Sequence, residues 1–315
     1  MKLPVLPVLL TAAMCLPALA SNDVKKGEFE FKTFEIPGTP VGLEKLGVER
    51  INDQFTSIGY VEAAPYFGFV RNEDGKVIDL NDPLSTGASQ YTLANGANNL
   101  GTVVGYFWDT ANSQYSAFFY RDGKFETYNF PGLPQYSDTL VTGINDFGSF
   151  CGYYEAAPSY AGVPFVNLDG KIVTDFNRPG ATFIEPESVN DFDQVAGVWV
   201  DSAGLDHGFL RDRDGKITSI DVPGAATPGT AVLGVNIFGW VSGHYFDAES
   251  HEHGFVRSPK GDYYQIDVPE AATDLALGGT AGGGLNDQGA VAGHYDPKDG
   301  SAEREYIATP KFPIR

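Results

Sequence analysis

The chain has 315 residues, of which 42% are apolar and 13% aromatic, with 38 glycines, 20 prolines and a formal net charge of −20 at pH 7. So acidic a chain repels phosphate backbones and anionic membrane surfaces, which excludes nucleic acid as a partner. A compact chain of this length buries about 75% of its unfolded surface, so a core forms without staples; no long stretch shows helical periodicity.

Residues 1–20 read as a signal peptide. Lys2 supplies the positive start, Leu3 to Leu16 is largely apolar, and Ala18-Leu19-Ala20 is a small-x-small cleavage site before Ser21. The apolar run is too short and too interrupted by proline for a stable membrane span. A lipid anchor on Cys15 is the competing reading, opposed by Met14 where a small residue is usual. The mature chain is expected to be secreted, to the periplasm or the medium; losing Lys2 leaves it at −21.

From residue 27 to 309 the chain repeats itself, and residues 310–315 form a tail. Turn asparagines stand at Asn52, Asn98, Asn145, Asn190, Asn236 and Asn286, spaced by 46, 47, 45, 46 and 50 residues. Each leads to a strand expected to close on a glycine: Gly59, Gly105, Gly152, Gly197, Gly243 or Gly293. An aromatic follows in a further strand, at Phe69, Phe118, Phe165, Phe209, Phe255 and Tyr306, and then a tight turn at Gly75, Gly123, Gly170, Gly215 and Gly261. The sixth such turn is missing from the end and found at the beginning, where Gly27-Glu28-Phe29 leads to Ile36-Pro37-Gly38. Each period holds four short segments rich in Val, Ile, Phe and Tyr between turn residues, as antiparallel strands do. A period of this size marks a stacked or ring-like array. A linear solenoid has no reason to split one copy between its termini and would need capping repeats. The expectation is an all-β, six-bladed β-propeller in one domain, closed by pairing the N-terminal strand with the last repeat.

With Cys15 in the leader, Cys151 is the single cysteine left, in a slot that elsewhere holds Ile58, Val104, Ala196, Ser242 and Ala292; it reads as a packed, unreactive thiol. The asparagine turns need no ligand, because Asn and Asp bond nearby backbone and Gly101, Gly148, Gly239 and Gly289 complete them. Where Phe55 and Asp193 replace that glycine, a different turn geometry is expected. The turns never reach the alternating Asp spacing of a calcium loop. Gly278 to Gly284, in the innermost-strand region of the last copy, reads as a close-packed or flexible strand near the ring closure, and no catalytic elbow, metalloprotease pair or phosphate loop appears.

In their order, the Asn-Asp turn, the valine-rich strand, the glycine, and then His207-Gly208-Phe209-Leu210 or His253-Gly254-Phe255-Val256 resemble the extracellular HAF repeat family, named for its His-Ala-Phe motif. Weaker copies are Phe67-Gly68-Phe69-Val70 and Ser116-Ala117-Phe118-Phe119. The resemblance covers nearly all of residues 27 to 309; glycine replaces alanine in the clearest copies, and four of six lack the histidine. It implies export and a repeat architecture, and brings no catalytic residues.

All five histidines fall in the fourth to sixth copies. His207 and His253 hold the motif slot and are expected to bond to a neighbouring strand. His244 and His294 occupy one equivalent position, where earlier copies have Tyr60, Tyr106, Tyr153 and Val198, and each precedes a carboxylate, Asp247 or Asp296. On neighbouring blades these four would form a set for a divalent metal or for acid-base work; no cofactor is otherwise required. Trp108, Trp199 and Trp240 are the candidate sugar-stacking residues, against the alternative that they pack between blades. Three functions stand: a secreted, monomeric binding module for a glycan or another envelope component, a secreted hydrolase or lyase using the His/Asp sector, or a purely architectural surface protein. The sequence leaves open whether the protein is an enzyme.

Overall fold

The structure, a computed structural model, describes residues 24–42, 45–87, 90–159, 161–272 and 278–314. The leader and Cys15 lie outside them. Among the described residues there is no α-helix, and none long and apolar enough to cross a membrane.

Short strands pair in chain order into four-stranded antiparallel sheets, the blades of a β-propeller. After β1 (Lys25–Lys26) and β2 (Phe29–Phe34), the first blade is β3 (Leu46–Ile51), β4 (Ser57–Val61), β5 (Phe67–Arg71) and β6 (Val77–Leu80). The next is β7 (Thr92–Ala97), β8 (Val103–Asp109), β9 (Gln114–Arg121) and β10 (Lys124–Tyr128), followed by β11 (Asp138–Ile144), β12 (Phe150–Ala156), β13 (Ala161–Leu168) and β14 (Lys171–Val173). Then come β15 (Phe183–Val189), β16 (Val195–Val200), β17 (Asp206–Arg211) and β18 (Ile217–Ile220), and β19 (Ala226–Val235), β20 (Val241–Phe246), β21 (Glu252–Arg257) and β22 (Tyr263–Ile266). A single parallel bridge, Asp206 to Gly229, links those two sheets, and β1 adds to β22 in parallel. The chain ends with β23 (Thr280–Leu285), β24 (Val291–Tyr295) and β25 (Arg304–Pro310), and β2 pairs with β25 from Phe29↔Pro310 to Phe34↔Glu305.

The repeated glycine and aromatic face each other. Gly59 pairs with Phe69, Gly105 with Phe118, Gly152 with Phe165, Gly197 with Phe209, Gly243 with Phe255 and Gly293 with Tyr306. These glycines sit inside the second strands and do not close them, a correction to the expected boundary. A Cβ at Gly59 would fall on the Gly47 carbonyl oxygen, so the glycine permits the close approach of strands that the curved blade needs. The aromatic rings opposite are 0–1% exposed, and burial of each contributes about 2–3 kcal/mol. Core clusters are shared between consecutive blades: Ile58, Leu80 and Ala94 with Phe118, for example, and Ile36, Val48 and Phe69 with Ala292 and Ile307.

The first strands pack backbone to backbone. Cβ atoms at Gly96, Gly143, Gly234 and Gly283 would meet, respectively, Gly143, Ser188, Gly284 and the Val48 carbonyl, so first strands of neighbouring sheets lie close against one another. Of the two readings of the glycine run, Gly282, Gly283 and Gly284 fit the close-packed one, while Gly278 and Gly279 precede the strand. At one joint Arg71 Nε donates to Glu305 Oε2 at 2.7 Å, both side chains at most 1% exposed, while the guanidinium lies 3.8 Å from the Phe34 ring centre. Arg71 thus ties β5 to β25 and β2.

At the turn end, each asparagine holds its own turn and its neighbour. Asn145 Oδ1 accepts from the Phe147 and Ser149 amides, and its Nδ2 donates to the Asn190 carbonyl. The same donation runs from Asn52 to Asn98, Asn98 to Asn145, Asn190 to Asn236, Asn236 to Asn286, and Asn286 back to Asn52. Phe55 and Asp193 take φ of 56° and 61° and make the same turn bond as the glycines they replace. The expected change of geometry does not occur, because the asparagine network imposes the turn on an unfavourable residue.

Candidate functional site

Along each first strand, just before the asparagine turn, the pairing slips by one residue, as at Val48/Arg50, Ala94/Gly96, Val141/Gly143 and Pro186/Ser188. Such a bulge leaves one residue outside the two-residue alternation and re-aims its side chain. The bulged residues here include Glu49, Asn95, Thr142 and Glu187. Arg50 from β3 reaches β15, donating through Nη2 to the Glu187 carbonyl and to Glu187 Oε2 at 3.3 Å, and through Nη1 to the Glu49 carbonyl. The guanidinium therefore bridges the sheets of β3 and β15. On its turn side lies a small chamber rimmed by Asn52, Asp53, Asn99, Asp146, Asp191 and Asp287. There Asn99 Nδ2 bonds both Asp53 and Asp146, and burial with neighbouring carboxylates pushes Asp287 up to about 6.

On the opposite side, toward the loops between second and third strands, titratable groups converge. Burial raises Glu49, which the Arg50 charge and a Tyr60 hydrogen bond oppose. Glu185 is pushed up to about 7 by burial and by the Glu49 and Asp206 charges, and Glu187 is raised for the same first reason. Tyr60, Tyr106 and Tyr153 are raised by burial and feel one another or the glutamates, so they share this space. His244 and His294 also lie here. Burial lowers both, His294 to about 3, with the His244 charge adding to the effect. His294 Nδ1 and Asn95 Oδ1 are buried without a hydrogen-bond partner.

At the rim the tyrosines continue outward as one half-buried aromatic assembly. Tyr91 stands 5.0 Å from Tyr66 and 5.5 Å from Tyr115, Tyr106 5.7 Å from Tyr115, and Trp108 5.1 Å from Tyr115. Tyr91 also lies 6.2 Å from Tyr106, ring centre to ring centre. The assembly draws on β8, β9 and the loops entering β5 and β7.

The structure splits the residues expected to act together. His244 and His294 share the mouth, but Asp247 turns away to His253 Nε2 at 3.1 Å and His251 Nδ1 at 3.3 Å, and Asp296 bonds the Gly279 amide. The carboxylate beside His244 is Glu252, at 3.7 Å. The proposed four-residue metal set is thus not assembled, and among the described residues no group of three or more His, Cys, Asp and Glu is placed to hold a metal ion. Strand ends explain the split: β20 ends at Phe246, so Asp247 lies in the turn that carries the chain back to His251 and His253, and β24 ends before Asp296. His207 and His253 bond Asp221 and Asp267 at 2.7 Å, just past the adjoining strands. Trp199 is 7% exposed under Arg178 and stacked on His207, and Trp240 is 8% exposed against Tyr264 and Phe312. Both are packing residues, so of the three tryptophans Trp108 alone joins an open aromatic surface. Cys151 is buried, its thiol pushed up to about 12 by burial, as an inert core residue should be.

No family model matches the chain, and no curated protein matches it. Among solved structures, it is similar to the fucose-specific lectin from Aleuria aurantia, including a variant in complex with Fucα1-6GlcNAc, at 11% identity over 87% of this chain and 99% of that one, TM-score 0.50. AofleA from Arthrobotrys oligospora is 13% identical over 93% and 87%, TM-score 0.49, and a gluconolactonase from Xanthomonas campestris 12% over 91% of each chain, TM-score 0.46. At such identities the likeness is one of fold.

Proposed function

We propose that this chain is an exported, monomeric, six-bladed β-propeller of the HAF repeat kind, closed by β2 on β25, that binds a glycan at the mouth opposite the asparagine turns. The ring reading is supported by the β2–β25 pairing and by the Asn286 to Asn52 bond; export is supported by the leader pattern of residues 1–20. The observation that carries the glycan reading is the assembly of Tyr66, Tyr91, Tyr106, Trp108 and Tyr115 above a floor of glutamates. A sugar offers an apolar C–H face bordered by hydroxyls; tyrosine offers a ring bordered by one, and a carboxylate accepts from sugar hydroxyls. A propeller fold alone decides no function. A glycan array followed by calorimetry tests it. The bound glycan should lose about tenfold in affinity on Tyr91→Ala or Tyr106→Ala, the stacking term converted to a binding constant. A silent array with folded protein, or binding indifferent to both changes, would defeat the reading.

One observation favours a second reading, a hydrolase or lyase at the same mouth. Glu185, pushed up to about 7 by burial and by the Glu49 and Asp206 charges, is a carboxylic acid that gives up its proton near neutral pH, and the His244 imidazole feels the same two carboxylates. A panel of aryl glycosides and esters should then show turnover that Glu185→Gln abolishes.

A further inference from the structure

We propose that the turn end carries a second set of binding sites, two clefts that each take one neutral pyranose unit of a glycan. The residue two places after each turn asparagine is Gln54, Leu100, Phe147, Phe192, Phe238 or Gln288, so four consecutive turns end in an apolar tip. These tips are left in solvent: Leu100 is 59% exposed, Phe147 78%, Phe192 61% and Phe238 40%. Burying a phenylalanine stabilises a fold and exposing one does not, so a row of them on one rim marks a surface that meets something.

Between the tips lie two clefts of similar size and make-up. One, of about 590 Å³, runs between Leu100 and Phe147 over Phe119. The other, of about 640 Å³, runs between Phe192 and Phe238 over Leu210. In each, the end of the third strand or the turn after it brings an arginine, Arg121 or Arg213, whose side chain is 61% or 77% exposed. These guanidiniums make only loose ion pairs, at 4.0 Å to Asp122 and 3.5 Å to Asp193, and keep donors for a ligand. Carboxylates stand beside them, Asp122 and Glu126 in one cleft, Asp212 and Asp214 in the other. An apolar tip on either side with adjacent donors and acceptors fits a ring that has flat C–H faces and a hydroxyl edge. The mixture of charges favours an uncharged sugar over a uronate or an amino sugar. Two clefts on one rim would engage two units of one polymer and gain by avidity.

Saturation-transfer NMR and calorimetry with the methyl glycosides of glucose, galactose, mannose and fucose test this. At least one should bind with two turn-end sites per chain. Phe147→Ala should remove one site and Phe192→Ala the other, each by about tenfold or more in affinity, with the melting temperature unchanged because the side chains are exposed. A Phe147→Ala/Phe192→Ala double variant that binds every glycoside as the native protein does overturns the proposal, as does silence from all four. The mouth is scored separately with Tyr91→Ala. A sugar lost in that variant alone supports the mouth and overturns the clefts; a sugar lost in the double phenylalanine variant alone supports the clefts and overturns the mouth.

Discussion

Replacing Asn145 with alanine should cost about 3 kcal/mol or more of unfolding free energy. The side chain makes three hydrogen bonds, to the Phe147 amide at 3.1 Å, the Ser149 amide at 2.9 Å and the Asn190 carbonyl at 3.0 Å. Each is worth about 1 kcal/mol net, and a buried group left without its partner costs about 1–3 kcal/mol. Two of the three bonds are buried, and alanine is too short for its methyl to reach any of the partners. Against a total stability of about 5–15 kcal/mol the loss is large. Urea unfolding followed by circular dichroism would show it as a lowered midpoint at unchanged slope. Asn145→Asp is the companion variant: it keeps both acceptor roles and turns the donor into a carboxylate facing the Asn190 carbonyl, so it too should destabilise. A loss below about 1 kcal/mol for Asn145→Ala would refute the view that these side chains bind consecutive blades together.

Arg71→Met should destabilise by about 3–5 kcal/mol because it leaves Glu305 buried and unpaired; the deficit should shrink in acid, where Glu305, already raised by burial, takes up a proton, and Arg71→Met/Glu305→Leu should recover most of it. Asp193→Gly should stabilise by about 0.5–1 kcal/mol in thermal unfolding, since the residue holds φ of 61° and gains only an exposed 3.5 Å pair with Arg213 in return. His294 is lowered to about 3 from an unfolded value of 6.5. Its contribution is therefore complete above pH 6.5 and is lost as pH falls toward 3, amounting to about 2 kcal/mol by pH 5. His294→Gln should flatten that acid limb of the stability profile; a limb of unchanged slope would remove His294 as its cause.

The period, the blade composition and the buried aromatics were legible because each is a local pattern written several times. Phe118 and Phe165 lie opposite Gly105 and Gly152 for the same steric reason, and one copy explains the next. The mouth was not legible. Glu49 and Glu187 occupy bulges, and a bulge breaks the alternation from which inward and outward positions are read, so nothing in the strand pattern marks them as axial. Tyr66, Tyr91 and Tyr115 come from loops and strand ends of two blades, each in a non-repeated context. The slot shared by His244 and His294 could be seen, along with Tyr60, Tyr106 and Tyr153 in it, but a carboxylate near in sequence was mistaken for one near in space. Asp247 shows the difference: it lies past the end of β20 and serves His251 and His253 in the turn that follows.

Arg50 is a clamp as well as a charge. Its guanidinium is held to β3 and β15 at once, so drawing it out would strip hydrogen bonds from two sheets that are remote in sequence. The same group lines the turn-side chamber and offsets the charge of Glu49 and Glu187, so a ligand that pulls on it from one side would be felt by the carboxylates on the other.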